Sequence, residues 1–312
     1  MKNRHAILFA AVLILLGGKM VGAQSIYVPN YSFESPVVPE VFPYATNALD
    51  EWEESPQPSW YDPSENYDTP WSYLVGTFYN VPYPGEYIDN VDGVQAAFLQ
   101  AYPDVGFFQD YNSIGGTNTV PDHAFNATFT VGKTYTLTVG LTSSSEEPLT
   151  PGSTIQLSLY YRDGAGTMMI VASNNVCYDT NIFTNLTHLF DFQVQVPGVK
   201  ATDPWAGQNI GIQLLCTPTL DLAGGYWDAD NARLVETAAL NLVNPLITNG
   251  QFQFTVQSDS NVVFQILATT DLSLPVTNWT SLATLTNVTG TIPFVDETAG
   301  LGQRFYTAQQ LP

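Results

Sequence analysis

Apolar and polar residues alternate along most of the chain after residue 23, with a period of two residues rather than the 3.6 of a helix. Turn sequences such as TPGS, RDGAG and VPG separate these runs. Short strands at this spacing predict an all-β, antiparallel sandwich or barrel rather than β-α-β units. The clearest alternating or continuous apolar runs are 123–131, 134–141, 154–161, 167–173, 188–196 and 209–216.

The strand pattern changes near residues 236–246, which predicts a domain boundary there. Residues 24–238 then form the larger unit, and residues 245–312 form a small C-terminal β-sandwich with short strands of its own. Within the larger unit, residues 35–90 are rich in proline and aromatic residues and show few regular strands. A long irregular insertion is usually functional or disordered, and the aromatic residues argue against disorder. We therefore expect ordered loops packed over one end or face of the sandwich.

Residues 1–23 have the composition of a secretory signal peptide. A basic start precedes 13 apolar residues, and the segment ends in the small-residue pattern Val21-Gly22-Ala23. The apolar run is shorter than the ~20 residues of a transmembrane helix, which disfavours the alternative of an N-terminal anchor. The sequence therefore predicts a protein that is secreted or held at the cell surface, with no membrane insertion after signal cleavage.

The chain is strongly acidic, with 29 acidic residues, 8 basic residues and a formal net charge of −21. Nucleic acids and anionic membranes need basic patches, so neither is an expected partner. An acidic chain does suit Ca²⁺, which prefers oxygen ligands. The two cysteines, Cys177 and Cys216, are either a disulfide, as in many exported proteins, or two buried free thiols.

Two motifs at opposite ends of the larger unit carry a family resemblance. Residues 25–36 read SIYVPNYSFESP, and residues 226–234 read YWDADNARL. Together with residues 93–111 and 129–141, they resemble the galactose-binding-like jelly roll of carbohydrate-binding modules, over about residues 25–236. The resemblance implies an antiparallel jelly-roll β-sandwich.

The same resemblance implies a structural Ca²⁺ that ties the first strand to the last. Its side-chain ligands would be Glu34 and Asp230, with a backbone carbonyl at Asn30. Carboxylates and carbonyls together can supply the six to eight oxygens that surround Ca²⁺. The alternative is that Glu34 and Asp230 are strand-end residues that accept backbone N–H bonds. The motifs depart from the family pattern at Tyr31 and Ala232, which replace the usual Gly and Val.

These motifs and the predicted signal peptide are also similar to those of the Stig cyclases, exported Ca²⁺-dependent jelly-roll enzymes that rearrange and cyclise prenylated indole isonitriles. By this resemblance Asp228 would be a buried general acid in a pocket lined by aromatic residues. Alternation places Asp228 on the same face as Asp230. A carboxyl in an apolar pocket has a raised pKa and can donate a proton. The alternatives are that Asp228 is a second Ca²⁺ ligand or a solvated carboxylate.

The aromatic residues of the 35–90 segment predict a ligand-binding surface. Flat sugar faces can stack on such rings, while neighbouring polar groups bond the hydroxyls. The alternative is that the rings pack in the core, because aromatic side chains bury large areas. The candidate ligand-binding residues are Trp52, Trp60, Tyr61, Trp71 and Tyr73, of which Trp60, Tyr61 and Trp71 are expected to be exposed.

The leading functional prediction is an exported, Ca²⁺-stabilised binding protein that recognises glycan through these loops. One alternative is a cyclase-type enzyme that acts on a small aromatic or apolar ligand, with Asp228 as the acid. Another is a cell-surface structural or adhesion protein. A closed apolar cavity beside Asp228 would favour the enzyme, and an open groove with several exposed rings would favour the glycan-binding protein.

The C-terminal segment resembles a small β-sandwich found at the end of exported bacterial proteins. Its role stays open between attachment, sorting and a spacer. Arg304 is its only basic residue, and we expect it to pair with Asp296 or Glu297. The motifs that carry the resemblance are Thr270-Asp271-Leu272, Asn278-Trp279-Thr280 and Arg304-Phe305-Tyr306.

Overall fold

The computed structural model describes residues 23–64, 69–81, 85–114, 120–248, 251–260, 262–297 and 304–311. Residues 1–22 of the predicted signal peptide lie outside the described residues. Across the described ranges, no helix has the length and apolarity that a membrane crossing requires.

The described residues form β-strands joined by loops and a few short 3-10 helices. The strands of the larger unit are β1 (Gln24–Ile26), β2 (Ala45–Thr46), β3 (Glu53–Glu54), β4 (Val75–Tyr79), β5 (Gln95–Gln100), β6 (Gly106–Gln109), β7 (Lys133–Ser143), β8 (Thr154–Arg162), β9 (Met168–Cys177), β10 (Phe190–Val196), β11 (Gly211–Cys216) and β12 (Tyr226–Ala238). The C-terminal strands are β13 (Asn241–Thr248), β14 (Gln251–Gln257), β15 (Val262–Thr269), β16 (Thr280–Asn287), β17 (Thr291–Asp296) and β18 (Phe305–Gln310). The 3-10 helices are Trp71–Tyr73, Leu220–Leu222 and Val276–Asn278.

Two antiparallel sheets build the larger unit, as the strand pattern predicted. The seven-stranded sheet has the order β10-β7-β12-β5-β4-β2, and β1 also pairs with β12. The five-stranded sheet has the order β3-β6-β11-β8-β9. Apolar residues of both sheets form one buried cluster, which includes Leu137 and Trp227 from the first sheet and Leu157 and Leu214 from the second. The all-β fold class is confirmed.

The alternating runs from 134 to 216 form β7 to β11, with ends shifted by a few residues. The strand predicted at 123–131 is wrong, because among the described residues this segment makes only an isolated bridge between Thr128 and Asn209. Its alternation is nevertheless real, since Phe125 and Phe129 are buried in the core. The backbone of Phe129 bonds to a turn at residues 207–208 instead of extending a ladder.

The C-terminal strands form two three-stranded sheets, β13-β14-β17 and β16-β15-β18. They enclose a separate apolar cluster that includes Phe254 and Phe264. The first of these strands begins at Asn241, four residues before the predicted start at 245. The predicted ion pair is present, because Arg304 Nη1 lies 2.6 Å from Asp296 Oδ2.

The two cysteines are free. The disulfide alternative is therefore wrong, and the alternative of two buried thiols holds only for Cys216, because Cys177 is exposed. Both residues end strands of the five-stranded sheet, β9 and β11. Burial raises the pKa of the Cys216 thiol, so this thiol stays protonated and acts as an apolar core group.

Candidate functional site

Strand β12 carries the candidate site on the face of the seven-stranded sheet that points away from the inter-sheet core. Trp227 and Ala229 face the core, where the Trp227 ring lies 5.6 Å from Phe183. Asp228 and Asp230 alternate with them and therefore project to the outer face. Both acids are nevertheless buried, at 7% and 0% exposed, because loops cover this face.

A β-bulge between Asp230 and Arg233 changes which positions of β12 face the core. Two residues of β12, Asn231 and Ala232, lie opposite the single residue Val139 of β7, since Asp230 pairs with Gly140 and Arg233 with Thr138. Asn231 takes the left-handed conformation, with φ of 57°, which asparagine tolerates better than most residues. Beyond the bulge, Leu234 faces the core, although simple alternation would place it on the acid face.

Asp228 opens into a cavity of about 590 Å³. Its floor is the sheet itself, because Phe98 is the direct partner of Asp228 on β5 and lies edge-on to Tyr226 at 5.8 Å. The walls come from the loop before β2, the end of β4 and the β7–β8 turn. The aromatic lining residues are Phe42, Tyr44, Tyr73, Phe78, Tyr79, Phe98 and Tyr226.

The Asp228 carboxyl is expected to be protonated near neutral pH. No described residue donates a hydrogen bond to it, and burial raises its pKa to about 8, with a further contribution from the charge of Glu146. Thr142 lies directly opposite on β7, and its buried hydroxyl also lacks a hydrogen-bond partner. A protonated carboxyl in such a cavity can donate its proton to a bound ligand.

Asp230 occupies a different environment, beside the loop that precedes β5. Its Oδ2 accepts a hydrogen bond from the backbone N–H of Asp92 at 2.6 Å, while its buried Oδ1 has no well-formed hydrogen bond to any described residue, although the nearby Asn231 backbone N–H also favours the ionised carboxyl. Burial, with smaller contributions from the charges of Asp92 and Glu34, raises its pKa to about 8. Asp230 therefore needs either a proton or a cation to satisfy it.

Glu34 reaches the same place from the first segment of the chain. Its Oε1 accepts backbone N–H bonds from Val94 and Gln95, each at 2.9 Å. Gly93 lets Glu34 come this close, since a Cβ at Gly93 would lie 2.2 Å from Glu34 Oε1. Gly93 also has φ of 109°, a conformation that favours glycine. The sequence reasoning missed Asp92, whose only signal was its place before a glycine turn.

The oxygen-rich surroundings of Asp230 fit Ca²⁺, because its unpartnered Oδ1 and the Glu34 carboxylate are hard donors without a basic neighbour. No group of three or more His, Cys, Asp or Glu residues with metal-binding geometry occurs in the described part of the chain. Backbone carbonyls would therefore have to complete the shell. Asn30 already uses its carbonyl to accept from Trp52 Nε1, at 3.1 Å, and from the Phe33 N–H. The Ca²⁺ site, including the part of Asn30 in it, stays a prediction.

The expected exposure of the aromatic candidates is wrong for Tyr61 and Trp71, which are 2% and 6% exposed, and Trp52 is also buried. These three rings pack inside the protein, away from water. The Trp71 Nε1–H donates a hydrogen bond to the Ser55 carbonyl at 2.7 Å. Trp60 is half-buried and meets Trp71 nearly edge-on, at 86°. Such rings do not form a flat sugar platform. Tyr73 is exposed, and it lies at the solvent side of the Asp228 cavity.

Together, the strands and the cavity define a jelly-roll β-sandwich with a partly open, aromatic-lined cavity beside a buried acid. Residues 24–235 match the family model HpiC1-like, described as HpiC1 cyclase, so the chain belongs to this family. The match spans nearly the same residues as the resemblance to the Stig cyclases and to the galactose-binding-like jelly roll. Among curated proteins, no relative matches the chain.

Several solved structures are similar to the protein. A cyclase from Fischerella sp. TAU is 22% identical, with 70% of this chain and 99% of that chain covered and a TM-score of 0.49. The Stig cyclase Fisc from the same organism, in complex with (3Z)-3-(1-methyl-2-pyrrolidinylidene)-3H-indole, is 22% identical over 70% and 100% of the two chains, with a TM-score of 0.48. A family 22 carbohydrate-binding module of Clostridium thermocellum Xyn10B is 12% identical over 62% and 89%, with a TM-score of 0.32.

Proposed function

We propose that the protein is a cyclase-type enzyme in which Asp228 protonates a small, largely apolar ligand held in the aromatic cavity. One observation carries the proposal: a carboxyl only 7% exposed, with no hydrogen-bond donor in the described part of the chain, lines a cavity walled by aromatic rings. Membership of the HpiC1-like family supports it. The cavity is partly open to solvent, so it meets the sequence-based criterion for an enzyme only in its aromatic lining and its buried acid.

The proposed reaction uses Asp228 and the aromatic rings that line the cavity. Asp228 gives its proton to an acceptor atom of the ligand, which leaves a carboxylate on the enzyme and a positive charge on the ligand. The faces of the surrounding rings stabilise that charge through their quadrupoles. After rearrangement, the carboxylate takes a proton back, so the reaction is an isomerisation without net gain or loss of protons.

The proposal includes a Ca²⁺ held by Glu34 and Asp230, supported by the unpartnered Oδ1 of Asp230. When bound, the ion would supply the positive charge that keeps Asp230 ionised. Glu34 and Asp230 would then fix the first segment of the chain against β12, next to the loop that precedes β5. This link would hold in place the loops that cover the outer face of the seven-stranded sheet. Export through residues 1–23 also belongs to the proposal.

Glycan recognition and a purely structural role stay predictions with less support. The rings that suggested sugar stacking pack against one another at steep angles, 72° for Tyr61 and Trp71 and 76° for Trp60 and Tyr61. A structural protein would have no need of an unpartnered carboxyl in a cavity, because burying it costs free energy.

The decisive experiment compares the wild type with Asp228→Asn in turnover of a panel of prenylated indoles, including an isonitrile, with products separated by liquid chromatography and mass spectrometry. Loss of the general acid should lower the rate by about 100-fold or more. Asp221→Asn is the matched control, because Asp221 is exposed in a 3-10 helix and is not among the residues that line the cavity. Equal rates for the wild type and Asp228→Asn, or conversion of none of the panel by the wild type, would contradict the proposal.

A further inference from the structure

We infer that Phe42 closes the solvent side of the Asp228 cavity over a bound ligand, and that residues 39–44, the strap, move with it. The inference rests on the proposed function for the role of the cavity. It assigns to that site a further residue, one that contacts the ligand and excludes water. Three observations carry it: the exposure of the Phe42 ring, the free backbone of the strap between two fixed ends, and the partly open state of the cavity.

Phe42 lines the cavity and yet is 85% exposed to solvent. Its ring meets one described ring, that of Tyr44, edge-on at 6.5 Å. Val41, the next residue of the strap, is 64% exposed. Apolar area in water gains free energy when it is covered. Because Phe42 already stands at the cavity, an apolar ligand in the cavity is the group placed to cover it.

The strap is fixed at both of its ends. Just before it, Val38 is buried, and its backbone N–H donates a hydrogen bond to Gln95 Oε1 at 2.6 Å. At the far end, the Tyr44 carbonyl accepts a hydrogen bond from the Tyr79 N–H at 2.8 Å, immediately before β2 begins. These two bonds hold the strap to β5 and β4, whose residues include the floor and one wall of the cavity.

Between these ends the backbone of the strap is free to turn. The Tyr44 N–H donates to the Val41 carbonyl at 3.0 Å, within the strap itself. The N–H groups of Glu40, Val41 and Phe42 donate to no acceptor in the described part of the chain, and residues 39–43 are all exposed. No strand pairing and no buried contact would therefore break if the middle of the strap turned about its ends, as active-site lids do.

The proposed reaction gives this movement a purpose. The cavity is partly open to solvent, and the proposed reaction puts a positive charge on the ligand. Water can capture such a cation: its oxygen forms a bond to the cationic carbon and a proton passes to the buffer, which yields a hydrated product in place of the isomer. Lids that close over a ligand prevent side reactions of this kind. Phe42 would cover the ligand and so favour isomerisation over hydration.

Hydrogen–deuterium exchange of the full chain, with and without the uncharged probe 3-prenylindole, tests the closure. The amides of residues 39–44 should exchange fast in the free protein and more slowly with saturating probe. Peptides from β15, in the C-terminal unit, should exchange equally in both states. If the probe does not bind, or if it leaves the exchange of the strap amides unchanged, the inference is wrong.

Phe42→Ala and Val37→Ala form a matched pair, because the side chains are 85% and 83% exposed but only Phe42 lines the cavity. Neither variant should change the melting temperature measurably, as for other exposed positions. Phe42→Ala should weaken binding of 3-prenylindole about ten-fold, since burial of a phenylalanine side chain is worth at least that factor. Val37→Ala should bind like the wild type, and Phe42→Leu, which keeps an apolar side chain, should recover most of the affinity. Equal affinities of Phe42→Ala and Val37→Ala would overturn the inference.

Product analysis separates this inference from the proposed function. With a prenylated indole that the wild type converts, Phe42→Ala should raise the fraction of product that is heavier than the isomer by one water molecule. If turnover persists in Phe42→Ala with unchanged affinity and no added hydration, this inference fails and the proposed function stands. If the probe protects the strap amides and Phe42→Ala loses affinity, but the wild type converts nothing, the closure by Phe42 stands and the proposed function fails.

Discussion

Asp228 and Asp230 lie two positions apart on the same face of one strand, yet their carboxyls have separate surroundings. Asp228 faces an aromatic cavity and accepts no hydrogen bond from the residues that the structure describes, whereas Asp230 accepts a hydrogen bond from the Asp92 N–H beside Glu34. Burial is the main cause that raises the pKa of each to about 8. The two carboxyls therefore share a raised pKa but are expected to differ in their response to ligand and to metal.

The stability of the protein should fall as pH rises, and Asp228 should account for part of the fall. The pKa of the Asp228 carboxyl is 3.8 in the unfolded reference and about 8 in the folded state, so folding favours the protonated carboxyl. The stabilisation is present below the lower value and is lost as pH rises through the higher one. Asp228→Asn cannot ionise, so it should be more stable than the wild type at pH 9, by a few kcal/mol at most.

Urea unfolding at pH 5 and pH 9, with EDTA present, measures this effect. Asp221→Asn, at an exposed position, should keep the wild-type slope of stability against pH. A slope in Asp228→Asn equal to that of the wild type would show that the Asp228 carboxyl is not the titrating group.

Calcium should raise the melting temperature of the wild type. A ligand that binds only the folded state stabilises it by about 3 kcal/mol at one hundred times its Kd. Asp230→Asn should lose most of this gain, while Asp228→Asn should keep it, because Asp228 faces the cavity instead. Differential scanning calorimetry in millimolar CaCl₂ and in EDTA makes the comparison, and identical wild-type melting temperatures would refute the metal prediction.

Gly93→Ala should destabilise the fold and disturb Glu34. The new Cβ would lie 2.2 Å from Glu34 Oε1 at a backbone φ of 109°. Gly224→Ala is a matched control, because Gly224 has φ of 111° but nothing within 4 Å of the added Cβ. Backbone strain of about 1–3 kcal/mol is common to both variants.

The excess loss of stability in Gly93→Ala over Gly224→Ala therefore reports the contact with Glu34. Urea unfolding of the two variants measures it. If both lose the same free energy of unfolding, Glu34 moves aside at little cost and does not depend on Gly93.

The aromatic residues of the 35–90 segment should divide into packing residues and cavity residues. Trp71→Ala should cost about 3–5 kcal/mol of stability, because its ring is buried against Tyr61 at 4.9 Å. Tyr73→Ala should change stability by about 0.5 kcal/mol or less, as for an exposed residue, and should lower turnover of the prenylated indole panel. Thermal unfolding and turnover assays of both variants distinguish them. A stable Trp71→Ala that loses glycan binding on an array would restore the sugar-binding interpretation.

Much of the fold could be predicted from local pattern, because alternation depends on which side of a strand meets the core. The runs at 134–141 and 154–161 became central strands for this reason. Residues 123–131 show the limit of the method. Phe125 and Phe129 alternate inward, but alternation does not reveal whether a neighbouring strand is present to complete a ladder.

The site was predictable only where the motif carried the information. The motif singled out Glu34, Asp228 and Asp230 as candidates, but it could not distinguish exposed rings from buried ones. Trp60, Tyr61 and Trp71 are residue types that often form sugar-binding platforms. Only the packing of distant segments shows that Tyr61 and Trp71 are buried. Asp92 escaped notice because its contact with Asp230 spans 138 residues of sequence.

The bulge at Asn231 has a consequence for how this protein can change over time. It inserts one residue into β12, so the acids before it and Leu234 after it can occupy opposite faces of the same strand. Deleting that residue would turn every later side chain of β12 over and bring Leu234 out of the core. Substitutions before the bulge can therefore alter the cavity without disturbing the core packing of the second half of β12. Related sequences could differ in the cavity and keep the same fold.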